Sequence, residues 1–200
     1  MIRTGIFLFP DAELLDFCGP YEVFTAANLS GGRQLFDVFA FAETAGPVNS
    51  INGMQVIPDM DIDAVTPPEI LVLPGGNGSR KVIDNPGLLE TLHRLIEAST
   101  HTFSVCSGAR ILAKLGWLAG QKFTTHHLVF DDVQRLAPTA RVRPNNRFTD
   151  NGKILTAAGV SAGIDLSLHM VEKLAGADTA RLTARYMEYP WKPKTARANS

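Results

Sequence analysis

The sequence predicts an α/β fold, a doubly wound three-layer sandwich in which a mostly parallel sheet carries helices on both faces. Three observations predict it. Strand-like and helix-like segments alternate along the chain, the pattern that builds parallel sheets through helical crossovers. Ile70-Leu71-Val72-Leu73 is a continuous apolar run, as expected of a central strand covered on both sides. Thr102-Phe103-Ser104-Val105, a short apolar run rich in β-formers, passes through a sharp turn into Gly108–Leu115, whose apolar residues recur at helical spacing.

Taken in order, Arg3–Phe9 reads as the first strand, and Pro10-Asp11 breaks it. A helix follows over Glu13–Asn28, with Gly19-Pro20 expected to interrupt it near its start. Phe36–Ala42 is the second strand, and Val48–Pro58 a hairpin turned at Asn52-Gly53. The central strand ends in Pro74-Gly75-Gly76-Asn77-Gly78. An amphipathic helix over Asn85–Ser99 then turns Leu88, Leu89, Leu92, Leu95 and Ile96 inward. Beyond the Cys106 turn, Phe123-Thr124-Thr125 reads as strand and Leu128–Leu136 as helix. Arg141-Val142-Arg143 and Arg147-Phe148-Thr149 read as short strands on either side of Asn145-Asn146. Lys153–Ala157 is a late strand, and Ile164–Leu174 and Asp178–Tyr189 are helices. Residues 1–190 make one domain on this reading, followed by a polar, proline-bearing tail over 191–200.

Composition narrows the function. Hydrophobic residues make up 45% of the 200 and charged residues 20%, a globular profile with ample material for a core. A net charge of −1 leaves no electrostatic footprint for nucleic acid. No apolar run approaches the ~20 residues that span a bilayer, and Ile6-Phe7-Leu8-Phe9, closed by Pro10-Asp11, is too short for a signal-peptide core. The expectation is a cytoplasmic protein acting on a small molecule, with neither nucleic acid nor membrane as partner. Cys18 and Cys106 are too few for a disulfide framework and lack metal-ligand spacing, so no metal is expected.

Cys106 carries the chemistry. A lone cysteine is most often a small buried hydrophobe. This one stands at a strand-to-helix turn, where the helix dipole and free N–H groups favour thiolate and Ser107, Gly108 and Ala109 let a ligand come close. That is the layout of a nucleophile elbow with Cys in place of Ser. In a doubly wound fold, the loops Pro10–Gly19, Pro74–Gly78 and Cys106–Gly108 converge at the carboxyl ends of their strands. Asp16, alone between apolar neighbours, is by itself a helix cap or a solvated acid. Beside a thiolate it becomes a carboxyl of raised pKa that moves protons. The amides of Gly75, Gly76 and Ser107 are candidates for an oxyanion-type hole, against the plainer reading of a tight turn. The pair His126-His127 suggests a Cys–His dyad or a helix cap; adjacent histidines on one strand would point opposite ways, against metal binding. Phe17, Tyr21, Val160 and Ile164 are candidate apolar walls of the pocket, with His126 beside them.

Five motifs occur in order: Leu15-Asp16-Phe17-Cys18-Gly19-Pro20, Leu73-Pro74-Gly75-Gly76, Ser104-Val105-Cys106-Ser107-Gly108-Ala109, Gly116-Trp117-Leu118-Ala119-Gly120 with Thr124-Thr125-His126, and Gly159-Val160-Ser161-Ala162-Gly163-Ile164-Asp165. Together they resemble the ThiJ/PfpI superfamily over about residues 2–190. The resemblance implies a flavodoxin-like, class I glutamine amidotransferase-like fold. Within the superfamily, Asp16 in L-D-x-x-G-P and a hydroxylated residue after the Cys look most like the isonitrile hydratases. That implies a lyase in which Cys106 attacks an isonitrile, Asp16 serves as general acid and base, and Gly75, Gly76 and Ser107 hold the substrate. It also implies a homodimer that needs no cofactor.

The chain departs from two other branches. Ser107 stands where PfpI-type proteases carry His. His169-Met170-Val171-Glu172 has one residue too many for the H-x-E pair of amidotransferases and falls in an expected helix. Other outcomes compatible with the same residues are a glyoxalase or deglycase acting on reactive carbonyls, and a non-enzymatic cysteine sensor. The same core also occurs in AraC-type regulators ahead of a DNA-binding domain for which this sequence leaves no room, which favours a free-standing enzyme.

Overall fold

Apolar strands and amphipathic helices sort into three layers in the computed structural model, which describes residues 1–192; from residue 193 on, the expected polar tail lies outside the described residues. In chain order, β1 (Ile2–Leu8) leads to α1 (Leu14–Ser30), β2 (Phe36–Ala42), β3 (Val48–Asn49), β4 (Gln55–Val56), β5 (Met60–Asp61), β6 (Ile70–Leu73), α2 (Ser79–Ile83), α3 (Pro86–Ala98) and β7 (His101–Val105). A single 3-10 turn at Cys106–Gly108 opens α4 (Ala109–Lys114). Then come β8 (Lys122–Phe123), α5 (Phe130–Leu136), β9 (Arg141–Val142), β10 (Phe148–Asp150), β11 (Ile154–Ala157), α6 (Ala162–Ala175) and α7 (Ala177–Tyr186).

The main sheet has the order β10-β11-β7-β6-β1-β2-β5, and every neighbouring pair is parallel except β10–β11. The apolar run of β6 is the central strand of the seven and is wholly buried. Helices α1, α6 and α7 pack together as one layer, while α2, α3, α4 and α5 form the other. Asn85 caps α3 by accepting the Leu88 N–H at 3.2 Å, and the five apolar residues expected inward are all buried. Among the described residues no helix is long and apolar enough to cross a membrane.

The order of the strands positions the site. From β1 the chain winds outward through β2 to β5, then returns to the other side of β1 and winds through β6, β7 and β11. The connections leaving β1 and β6 therefore diverge at the switch point where doubly wound folds bind ligands. The β1–α1 and β6–α2 connections are stitched together: Glu13 N–H donates to the Gly75 carbonyl at 2.9 Å, and Gly78 N–H to Asp11 at 3.3 Å.

Several expectations change. Gly19-Pro20 does not interrupt α1. Pro20 removes one helical N–H, but the pair packs closely on α6: a Cβ on Gly19 would lie 3.1 Å from Ile164, and one on Gly163 3.6 Å from Pro20. Thr124 and Thr125 do not extend β8. The Thr124 N–H donates to the Thr156 hydroxyl at 2.8 Å, and the Thr125 hydroxyl donates to the Cys106 carbonyl at 2.6 Å, so their polar groups serve the elbow rather than a ladder. Helix α5 starts at Phe130 rather than Leu128, because a turn closes first between Val129 N–H and the His126 carbonyl. The two-residue edge strand β5 and the five-residue helix α2 are too short to announce themselves by periodicity.

Candidate active site

Cys106 occupies a strained turn. Its φ is +56°, in the left-handed region that non-glycine residues enter at a cost of roughly 1–3 kcal/mol. The surroundings enforce it. Cys106 N–H donates to the Ala158 carbonyl at 3.0 Å, and its carbonyl accepts from Thr125. Two residues on, a Cβ at position 108 would sit 2.2 Å from the Leu73 carbonyl oxygen, so only glycine lets the turn lie this close to β6.

Asp16 stands behind the sulfur, near the start of α1. Glu13, the residue before the helix, provides no side-chain cap; Asn52 of the β3–β4 hairpin does, accepting the Leu14 N–H at 3.1 Å. The Asp16 carboxyl is fully buried. Oδ2 accepts the Gly75 N–H at 2.8 Å, while Oδ1 is buried with no hydrogen-bond partner at normal distance. Burial lifts the Asp16 pKa to about 7; the Gly75 N–H opposes the rise, the Glu13 charge adds to it, and the Cys106 thiol opposes it.

The same burial, reinforced by the Asp16 charge, pushes the Cys106 thiol up to about 12, against the pull of the Ser107 and Val160 N–H groups and the Ser107 hydroxyl on the sulfur. This corrects the expectation that the helix N-terminus holds a thiolate. Helix α4 is only six residues long, and desolvation beside a carboxyl outweighs its amides. The resting pair is a thiol next to an acid that titrates near neutrality.

The glycine amides also have a different task from the one expected. Gly75 N–H is taken by Asp16, and Gly76 N–H donates to the Ser107 hydroxyl at 2.8 Å. Neither is free for substrate; both position the side chains that surround the sulfur. Glycine is required at both places: a Cβ on Gly75 would lie 2.5 Å from Ser107 N and 2.8 Å from Asp16 Oδ2, and one on Gly76 2.2 Å from the Asp11 carbonyl oxygen. The backbone donors that reach the sulfur are Ser107 N–H, which the sequence offered as a donor to substrate, and Val160 N–H, which only the structure reveals. Val160 has a φ of +46°, a rare conformation for a β-branched residue, and this turn aims its amide at the sulfur.

The sulfur opens onto a cleft of about 260 Å³ lined by Cys106, Ser107, Gly76, Val160 and His126, with Glu13, Arg80 and Arg110 among its charged residues. Asp16 does not line it; the acid reaches the cleft through the thiol. His126 and Val160 thus take their expected places, but Phe17 and Ile164 do not. Phe17, with Cys18 and Tyr21, lines a separate cavity between α1 and the strands β1, β2 and β4, and Ile164 is turned toward Gly19. The apolar side chains of α1 face its neighbours in the sandwich, not the carboxyl edge of the sheet. Cys18, its thiol pushed up by burial, is outside the site. His126 makes no hydrogen bond to Cys106. Its Nδ1 accepts the Leu128 N–H at 3.3 Å, its ring stacks on His127 with centroids 4.2 Å apart, and burial followed by the His127 charge pulls its pKa down, against Glu13. The Cys–His dyad is therefore not formed. Arg80, Arg110 and Glu13 escaped the sequence reading, although Arg110, set among apolar residues four positions after the cysteine, is a visible signal.

The isonitrile hydratase of Pseudomonas putida is 30% identical over 189 residues, covering 94% of this chain and 78% of that protein. The HTH-type transcriptional regulator GlxA of Rhizobium meliloti is 29% identical over 180 residues; these are 90% of this chain but only 55% of the regulator. Among solved structures, a THiJ/PfpI family protein from Pseudomonas syringae superposes with a TM-score of 0.85 at 24% identity, covering 99% of this chain and 79% of that one. Drosophila melanogaster DJ-1beta gives 0.80 at 18% identity, covering 95% and 99%. The motif for the DJ-1/PfpI family matches residues 3–173, a span that holds the strained cysteine, its buried acid and the glycine turn between them, and the chain belongs to that family.

Proposed function

We propose that the protein is an isonitrile hydratase, converting R–N≡C and water to an N-substituted formamide. The observation that carries this reading is the Asp16–Cys106 pair: a buried thiol against a carboxyl with one unpartnered oxygen and a pKa near 7. A neutral isonitrile brings no proton of its own, so the site must supply one and recover it. The thiol supplies it. As sulfur bonds to the isonitrile carbon, the Asp16 carboxylate takes the thiol proton and hands it to that carbon, giving a thioimidate, R–N=CH–S–Cys. The carbon is then one bond from the sulfur that the acid already faces. The Ser107 and Val160 N–H groups stabilise negative charge on sulfur while the bond forms. Asp16 next deprotonates water, which adds to the thioimidate carbon, and returns that proton to nitrogen. Breakage of the C–S bond releases R–NH–CHO, and the hydroxyl proton passes back to sulfur. The sum is one isonitrile and one water in, one formamide out. The identity to the Pseudomonas putida hydratase supports the same reading.

The test is formamide production from cyclohexyl isonitrile by wild type, Cys106→Ala and Asp16→Asn. Wild type is expected to turn over, Cys106→Ala to be inactive, and Asp16→Asn to lose roughly 10²–10⁴-fold. Because the carboxylate is the form that takes the thiol proton, kcat/KM should rise with pH through about 7 in wild type. Absence of turnover with Cys106 reduced and the fold intact would overturn the assignment. A glyoxalase or deglycase role is the second reading, favoured by relatives named a glutathione-independent glyoxalase in Caenorhabditis elegans and a deglycase in Pyrococcus horikoshii. Methylglyoxal in the same assay separates the two.

A further inference from the structure

We propose that the cleft takes substrates bearing an anionic group, a carboxylate in particular, held by the guanidinium groups of Arg80 and Arg110 while the reactive carbon meets Cys106. The inference rests on the proposed reading for the reactive group, but not for the charge.

Three guanidinium groups share a single carboxylate at this wall. Asp132 Oδ2 accepts from Arg110 Nη2 at 2.6 Å and from Arg80 Nη2 at 2.8 Å, and its other oxygen accepts from Arg135. Among the described residues, none of the three arginines has another carboxylate within ion-pair distance. Three cations therefore share one counter-ion, and the two that reach the cleft exceed it by one positive charge. Two of the three arginines line the cleft that contains Cys106.

The two differ in a way that suits recognition. Arg110 is a built group: only 4% exposed, it is fixed by Asp132 and by the Ser79 hydroxyl at 2.9 Å, yet its Nε–H is buried with no partner at all. A buried cation left short of acceptors is costly for a purely structural strut. Arg80 is its exposed counterpart, with 61% of its side chain accessible and only one nitrogen engaged, so most of its fork is free. The Ser79 hydroxyl also donates to the Gly76 carbonyl, which accepts from Ser107 as well, so the arginine wall is wired to the turn that holds the nucleophile. The one carboxylate among the residues lining the cleft, Glu13, comes from the β1–α1 connection; it lies outside ion-pair distance of both arginines, and its charge acts on Asp16 and His126.

The experiment compares isocyanoacetate with its methyl ester. In wild type at low salt, the acid-to-ester ratio of kcat/KM is expected to exceed about ten, the worth of one charge-assisted hydrogen bond. The ratio should fall about tenfold in Arg80→Gln and fall again as salt screens the site. Arg110→Lys, which keeps the charge but not the fork, should lower it with the thermal midpoint as a check on folding. A wild-type ratio at or below one, or a ratio unchanged in Arg80→Gln, overturns the proposal. If neither isonitrile is turned over, the hydratase reading fails on its own. Calorimetry with N-formylglycine and its methyl ester then decides this one: tighter binding of the acid that is lost in Arg80→Gln supports it, and equal binding of the two, or none, overturns it.

Discussion

Strand β7 runs between two aspartates, one on helix α1 and one on strand β10, that share little else. At its start, His101 stands in the field of Asp150; at its end, Cys106 stands against Asp16. Both carboxyls are desolvated. Asp150 nevertheless lies well below the usual carboxylate range: burial pushes it up, but the His169 ring at 2.9 Å, the Gly152 N–H at 2.7 Å and the Lys173 ammonium at 3.1 Å together win. Asp16 has one N–H and the Cys106 thiol, a like-charged neighbour in Glu13 and one oxygen without a hydrogen-bond partner, so burial wins there. The same side chain, beside opposite ends of one strand, becomes a permanent ion in one place and a proton carrier in the other. Partners, not burial, separate structural carboxylates from chemical ones.

The largest effect that could break this contrast lies at Gly75, whose amide is the backbone donor to Asp16. Gly75→Ala forces a Cβ to within 2.8 Å of the carboxyl and 2.5 Å of Ser107 N, so the acid must move. A displacement of that kind is expected to cost roughly 10²-fold in kcat/KM. Retention of activity within a few-fold would mean that this amide does not hold the acid. A smaller effect sharpens the contrast through stability. Asp16 binds its proton more tightly in the folded chain than in the unfolded one, so its contribution is present below about pH 4 and is lost as pH rises through about 7. Asp150 runs the other way, stabilising above the ordinary carboxylate range and failing as pH falls below it. Denaturant titrations should therefore show Asp16→Asn gaining on wild type between pH 4 and pH 8, by up to about 4 kcal/mol. Asp150→Asn should cost about 1–3 kcal/mol at pH 7, a cost that begins to shrink only below about pH 4 and persists in part at pH 3. Parallel pH profiles for the two variants would abolish the distinction. The smallest effect concerns the second donor to the sulfur. Val160→Gly suits a φ of +46° better than valine does, and is expected to change stability by less than about 1 kcal/mol while preserving the amide. A loss of activity as large as that of Asp16→Asn would show that the isopropyl group, not the N–H, matters.

The sandwich was legible because its strongest signals are long. The 70–73 run, the 36–42 strand and the Leu-rich face of α3 each declare a burial pattern, and each was found where expected. Cys106 and Asp16 were legible as residue types in loops that the topology must bring together. What stayed hidden was direction. Sequence shows that Gly75 and Gly76 permit an unusual turn, but not that their amides face Asp16 and Ser107 instead of substrate. It places Phe17 one residue from the acid, but in a helix one residue is a turn of about 100°, enough to send the ring into a different cavity. The left-handed Val160 has no local signature, since nothing about a valine between glycine and serine predicts positive φ.

The stitched junction behind the sulfur has a kinetic consequence. Asp16, Gly75, Cys106 and Val160 come from four separate parts of the chain, and the helix carrying the acid is started by Asn52, from yet another. No short fragment of the chain contains two of them. Every one of these contacts spans a long loop whose closure entropy falls due before the contact is made, as in folds of high contact order that mature slowly. Catalysis should accordingly be among the last properties to return when the denatured chain is diluted into buffer, trailing the recovery of helical signal and serving as a clock for the final docking of strands.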